Sequence, residues 1–202
     1  MDRHLILRHT ALVKVKRSRV SKGHAKPWSF KSYEVMELGE RIQLDHMVVT
    51  NHGKTLRHFQ FWERRSRVIL TYVFAKATAH SAREALLQFV KEAPFPIKSI
   101  QVDGGSEFMG EFEAECQKLK IPLIVLPPKR PQYNGGVERG NRTFREDFYN
   151  RHNFFTNTLS EIRAALAKAT YEYNYYRPHQ NLDGLTPMGY TTNRKQGRFQ
   201  IW

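Results

Sequence analysis

The chain has 202 residues, 40% of them hydrophobic and 26% charged, which suits one sizeable core and excludes a chain disordered throughout. Its formal net charge of +14 is the balance of a protein whose partner is an anionic polymer. There is no apolar run of roughly 18 residues to span a membrane, the apolar stretch after Met1 is too short for a secretory signal, and the single Cys116 excludes an intrachain disulfide or a multi-cysteine zinc site. A soluble intracellular protein with no membrane partner is expected, with Cys116 on a core-facing helix position.

Residues 1–35 read as a basic N-terminal arm or linker. Up to position 31 it holds nine lysines and arginines against Asp2 alone, has few periodic apolar positions, and carries Gly23 and Pro27 near its end. That pattern suits a phosphate-binding segment ordered by its partner. Strands are predicted near 41–50, 56–63 and 67–75, with Asn51-His-Gly-Lys54 and Glu63-Arg-Arg-Ser66 as the turns of an antiparallel meander. In the first strand Ile42, Leu44, His46 and Val48 share one face, and Gln43, Asp45, Met47 and Val49 the other. Asp45 is thereby held mid-strand among apolar neighbours. An unpaired charge buried there costs several kcal/mol, so it needs a cation, a hydrogen-bond cage or a raised pKa.

Next comes a helix over Ser81–Lys91, with Ala82, Ala85, Leu86, Phe89 and Val90 on one face, Ser81 or His80 near its start and Pro94 beyond its end. A strand then ends at Asp103, followed by Gly104-Gly105, the position at which open α/β sheets gather ligands. A helix near Glu107–Lys120, a strand Ile121–Leu126, a breaker-rich loop Pro127–Gly136 and helices near 137–151 and 159–176 complete the order, with 193–202 as a tail. Glu138 opens the first of the last two helices, and Gly135-Gly136 before it reads as a flexible segment that lets the carboxylate be placed late. Arg142 and Arg145 follow on the same helical face. Lys129 and Arg130 in the loop extend this basic surface, and Tyr133 and Asn134 could stack on or hydrogen-bond an unpaired base. Arg139 points about 100° away.

Each acidic residue has a plainer reading alone. A strand Asp often faces solvent, Asp-Gly-Gly is a turn signal, and a Glu in the first helical turn complements the macrodipole. The three together in a basic chain favour metal-dependent phosphoryl transfer. His46, His52 and His58 lack zinc-type spacing, Asn141-Arg-Thr143 matches the glycosylation pattern by chance, and Asp183-Gly184 reads as a turn.

Asp45, Asp103 within Val-Asp-Gly-Gly-Ser-Glu-Phe108, and Glu138 within Pro131-Gln-Tyr-Asn-Gly-Gly-Val-Glu-Arg-Gly-Asn141 resemble the catalytic core of the retroviral-integrase superfamily, and most of all bacterial insertion-sequence transposases of the Asp-Asp-Glu type. Thirty-four residues separate Asp103 from Glu138, one fewer than the family's usual spacing. Tyr173-Asn174, Arg177-Pro-His179 and Leu185-Thr-Pro187 resemble the sequence with which these transposases close their core. The resemblance covers roughly residues 36–192 and implies an α/β ribonuclease-H-like fold, a central mixed five-stranded sheet flanked by helices. It further implies Mg²⁺ or Mn²⁺, two ions in the active state, with Asp45 bridging them, Asp103 on one and Glu138 on the other.

DNA is the implied partner, both element ends and target duplex, acted on by at least a dimer in the bacterial cytoplasm at the nucleoid. Glu107 is the best substitute ligand should Glu138 be misplaced. In similar transposases a helix-turn-helix region precedes the core, and no full one is legible here, the pattern of a fragment or of one product of a split gene. Two other functions stay open: a metal-dependent nuclease without joining activity, and a non-catalytic domesticated DNA-binding module.

Overall fold

In the computed structural model, residues 5–7, 12–14, 37–51, 53–126, 133–154 and 156–195 are described. Within the segment read as an arm, β1 (Leu5–Leu7) and β2 (Leu12–Lys14) pair antiparallel as a small sheet of their own. The rest of that segment, the loop residues Lys129 and Arg130, and His52 lie outside the described residues.

Period-two patterning from Ile42 to Phe74 produces the expected meander: β3 (Ile42–Asn51), β4 (Lys54–Glu63) and β5 (Ile69–Phe74). β3 and β4 pair along their whole length, from Ile42↔Glu63 to Asn51↔Lys54. β6 (Ile100–Val102) and β7 (Leu123–Val125) then add in parallel on the other side of β3, giving the order β5-β4-β3-β6-β7. The central sheet is therefore mixed and five-stranded.

Strand alternation divides the interior in two. Ile42, Leu44, Phe59, Phe61, Ile100, Val102 and Leu123 face a core closed by α1 (Ala79–Glu92) and α2 (Glu111–Lys118), which includes the buried Cys116. Met47, Val49, Trp62, Ile69 and Val73 face a second core under α3 (Gly135–Phe144) and α4 (Leu159–Tyr175). α1 starts earlier than Ser81, because Thr78 accepts from the Ser81 amide at 3.1 Å and Ser81 caps in return. The single helix expected over Glu107–Lys120 is split into a 3₁₀ turn at Ser106–Phe108 and α2, with Gly110 between them at φ +60°, a conformation that favours glycine. α3 runs on as a π-helical turn over Arg145–Tyr149, and α5 (Pro187–Lys195) ends the described chain.

The edge strand β5 is shielded by α4. Asn174 accepts from the Ile69 amide at 3.0 Å and donates to its carbonyl at 2.6 Å, and Arg163 Nε donates to the Val73 carbonyl at 3.0 Å. These side chains satisfy edge groups that would otherwise template pairing with another chain. Asp183, left-handed at φ 54°, and Gly184 make the expected turn ahead of α5. No helix among the described residues is long and apolar enough to cross a membrane.

Candidate active site

The face of the sheet beneath α3 is unusually polar for an interior. Gln43, His58, Gln60 and Gln101 are all buried there, and Asp45 sits among them, half-buried. β3 and β6 pair in parallel through Gln43↔Gln101. Carried two residues on, that register sets Asp103 beside Asp45, on strands about 4.8 Å apart. Asp45 Oδ2 accepts from Asn141 Nδ2 at 2.8 Å and Oδ1 from the His46 amide at 2.9 Å. Asp103, exposed at the strand end, also performs its turn role, Oδ1 accepting from the Gly105 amide at 3.0 Å. Glu138 is exposed in the first turn of α3.

Asp45 feels the charges of the other two carboxylates. Burial first, then the Asp103 charge, raises the Asp45 carboxyl to about 6; the His46 amide and ring oppose this, and Glu138 adds a last, smaller push upward. Among the described residues no three His, Cys, Asp or Glu side chains are grouped closely enough to hold a metal ion. The carboxylates thus stand within electrostatic reach of each other and not in a closed ligand shell. Their donor set fits a hard divalent cation, since carboxylate oxygens suit Mg²⁺ or Mn²⁺ and a cation would relieve the repulsion that lifts Asp45. Glu107, the substitute ligand by sequence, is engaged elsewhere: Oε1 lies 2.5 Å from His46 Nδ1, a pairing that lowers the Glu107 pKa and raises that of His46.

α3 is seated by the sheet. Gln43 Nε2 and Gln101 Nε2 both donate to the Tyr133 carbonyl, at 2.7 and 2.9 Å. Gln43 Oε1 accepts from the Val137 amide at 3.1 Å, and Gln60 Nε2 donates to the Val137 carbonyl at 2.9 Å. Gln43 and Gln101 each precede an aspartate by two residues, so each lies on the same sheet face as that aspartate. The glutamines therefore hold the start of α3 from directly beneath the acidic pair. Sequence reading missed them and Asn141. The glutamines' signal was their same-face offset, two residues before Asp45 and Asp103 on the strands; Asn141 lies one turn beyond Glu138 but on the buried side of the helix.

Gly135-Gly136 is not the flexible segment expected. Both glycines lie inside α3, and a Cβ on Gly136 would sit 2.2 Å from the Trp62 ring, one on Gly140 2.3 Å from Gln60 Nε2. Gly136 and Gly140, one turn apart, let the helix lie directly on the sheet. The buried positions Val137, Gly140, Asn141 and Phe144 leave Glu138, Arg142 and Arg145 on the outer side, as the helical spacing predicts.

A cleft of about 710 Å³ is lined by Asp45, Glu138, Arg139, Arg142 and Arg145 together with Asn141. Arg142 pairs loosely with Glu146 at 3.6 Å, and Arg145 reaches the Met47 sulfur at 3.7 Å. Tyr133 lines a neighbouring cleft, whereas Asn134 is buried at the start of α3, which turns its amide away from solvent.

The same fold is found in retroviral integrase catalytic core domains. The integrase core domain family matches residues 119–187, a stretch that holds Glu138 and the closing Tyr-Asn to Leu-Thr-Pro sequence. The chain is 31% identical over 97 residues to the insertion element IS476 uncharacterized 39.2 kDa protein of Xanthomonas euvesicatoria, covering 48% of this chain and 28% of that protein. It is 29% identical over 99 residues to the insertion element IS407 uncharacterized 31.7 kDa protein of Burkholderia multivorans, covering 48% and 35%. The matched region thus spans about a third of the length of these relatives.

Among solved structures, the HTLV-2 integrase catalytic core domain in complex with magnesium aligns with TM-score 0.59 at 19% identity, covering 74% of this chain and 94% of that one. The catalytic core domain of BIV integrase aligns with TM-score 0.57 at 20% identity, covering 80% and 99%. The chain is thus similar to two insertion-element proteins, and its fold is that of the retroviral integrase catalytic core.

Proposed function

We propose that this chain is a catalytic core for metal-dependent DNA strand cleavage and strand transfer, with Asp45, Asp103 and Glu138 as its catalytic and metal-binding residues. The observation that carries the reading is the setting of Asp45: half-buried, raised to about 6 with Asp103 and Glu138 both contributing, and lining together with Glu138 a cleft that also holds Arg139, Arg142 and Arg145. Carboxylates so placed repel DNA unless a cation intervenes, which a binding module has no reason to maintain. Bound Mg²⁺ or Mn²⁺, two ions in the active state, would stabilise both the attacking and the leaving oxygen of an in-line displacement at phosphorus.

The chain's own residues divide the remaining work. Asn141 holds the Asp45 carboxylate by its Oδ2, leaving that group oriented beside Asp103. Arg142 and Arg145 offer guanidinium groups to the phosphates flanking the reacting one. A water deprotonated at the carboxylates attacks phosphorus and displaces a 3′ oxygen, which leaves as a 3′ hydroxyl; that hydroxyl then attacks a phosphate of the target duplex at the same site, and the bond from that phosphorus to the target strand's own 3′ oxygen breaks. No covalent bond to the protein is needed, so tyrosines and serines have no nucleophilic part. Two DNA ends must meet for joining, so the working form is at least a dimer. An HTLV-2 integrase core is itself described in dimeric and trimeric forms.

The test is nicking of supercoiled plasmid by the purified protein, which requires no knowledge of the preferred DNA ends. Nicking with Mn²⁺ that disappears in EDTA and falls at least about 100-fold in Glu138→Gln is expected. Equal nicking by wild type and variant would remove Glu138 from the chemistry. Joining of a 3′ hydroxyl end to a second duplex distinguishes a transposase core from a nuclease.

A further inference from the structure

On the other side of the α3 N-terminus lies a second cleft, of about 630 Å³, that the acidic site does not use. Arg64 and Arg67 reach it from the β4–β5 turn, Arg139 from α3 and Arg177 from the segment after α4, and among the described residues none that lines it is a carboxylate. Four guanidinium groups from three elements thus line one cavity, a concentration of positive charge that favours an anionic ligand. Aromatic rings fix two of them, Arg67 lying 5.1 Å over the Trp62 ring and Arg177 5.8 Å over Tyr173. The positive field reaches His179 in the same cleft, whose pKa is lowered to about 4, first by burial and then by Arg177 and Arg67. Arg177 also pairs with Asp147 at 2.7 Å, a carboxylate outside the cleft lining.

The two clefts are continuous at α3, since Gly135 and Arg139 border both. Gly135 differs from Gly136 in that a Cβ there would meet nothing within 4 Å. Packing does not require that glycine, and bare backbone at the boundary leaves a low sill over which a polymer backbone can pass. We infer that this cleft binds the phosphodiester backbone of the DNA strand running on from the scissile phosphate, with Arg139 as the hinge point between the two clefts and Arg67 and Arg177 as its anchors. The inference rests on the reading of the acidic site as one acting on DNA.

The test is binding of a labelled DNA duplex of arbitrary sequence, followed by fluorescence anisotropy across a salt series in EDTA. Removing one cation that neutralises a phosphate lowers the slope of log K against log salt by about 0.9. Arg139→Gln with Arg177→Gln, both at exposed positions, should therefore reduce the slope by about 2, with Tm near wild type. Arg67→Asn, an exchange that tolerates the φ of 64° at this residue, should reduce it by about 1. Lys168→Gln removes one exposed charge on α4 outside both clefts and should leave the slope at its wild-type value. An unchanged slope in the folded double variant, an equal reduction in Lys168→Gln, or tighter binding of a matched RNA than of DNA would overturn the proposal. Failure of the catalytic reading would show instead as absent metal-dependent nicking with the slope differences intact.

Discussion

At the residue scale, the buried glutamines are the unusual feature of this site. Gln43 satisfies both the Tyr133 carbonyl and the Val137 amide, so Gln43→Leu leaves a buried backbone donor unpaired. That costs about 1–3 kcal/mol, which for a domain of this size lowers Tm by roughly 2–4 °C per kcal/mol. If the glutamines seat α3, hydrogen exchange should rise in the peptide over Tyr133–Glu138 and stay unchanged in β4 and α1. Uniform loss of protection would make Gln43 a general stabiliser and not a support for Glu138. Asn141→Leu poses a narrower question, because it removes the amide donor to Asp45 Oδ2 while leaving an apolar group on a buried helix position. Plasmid nicking should fall by about one order of magnitude or more, with a Tm change small beside that of Gln43→Leu.

At the element scale, α3 is placed by what its glycines lack. Gly136→Ala would ordinarily stabilise a helix by up to about 1 kcal/mol, but here the new methyl meets the Trp62 ring at 2.2 Å. Overpacking of this kind costs about 1–3 kcal/mol, so the net effect should be destabilisation, together with lost nicking as α3 lifts from the sheet. Thermal unfolding of Gly136→Ala, alone and with Trp62→Leu, checks this: the second substitution opens the space and should recover part of the loss. A stabilised single variant would show that the ring moves aside freely.

The same element illustrates the reach of sequence reasoning. The helical spacing of Glu138, Arg142 and Arg145 on one outer face was legible, because it follows from 3.6 residues per turn alone. The role of Gly136 was not, because a glycine kept for flexibility and one kept for close approach are written with the same letter.

At the scale of the whole molecule, a polar sheet face under two helices makes stability depend on pH. His58 is fully buried against Tyr149, its Nδ1 3.0 Å from the tyrosine hydroxyl, and burial lowers its pKa to about 3, helped by the Arg145 charge and opposed by Gln60. A histidine depressed in the folded state contributes stability that is fully present above its unfolded pKa of about 6.5 and lost as pH falls toward the folded value. Tm should therefore decline progressively from about pH 6.5 downward, and His58→Gln should flatten that decline. A parallel decline in the variant would assign the acid sensitivity to other groups.

Strand alternation and helical periodicity were enough to determine most of the element order from β3 to α4, since each depends on neighbours along the chain, while the mixed sheet was implied only by the resemblance of the motifs around Asp45, Asp103 and Glu138. The tertiary structure alone decided that Gln43, Gln60 and Gln101 from three strands meet at one turn of α3. It also decided that Asn141 reaches Asp45 and that arginines more than a hundred residues apart line one cleft. Those are contacts across the sheet and between layers, and local periodicity carries no information about which distant side chain will stand opposite.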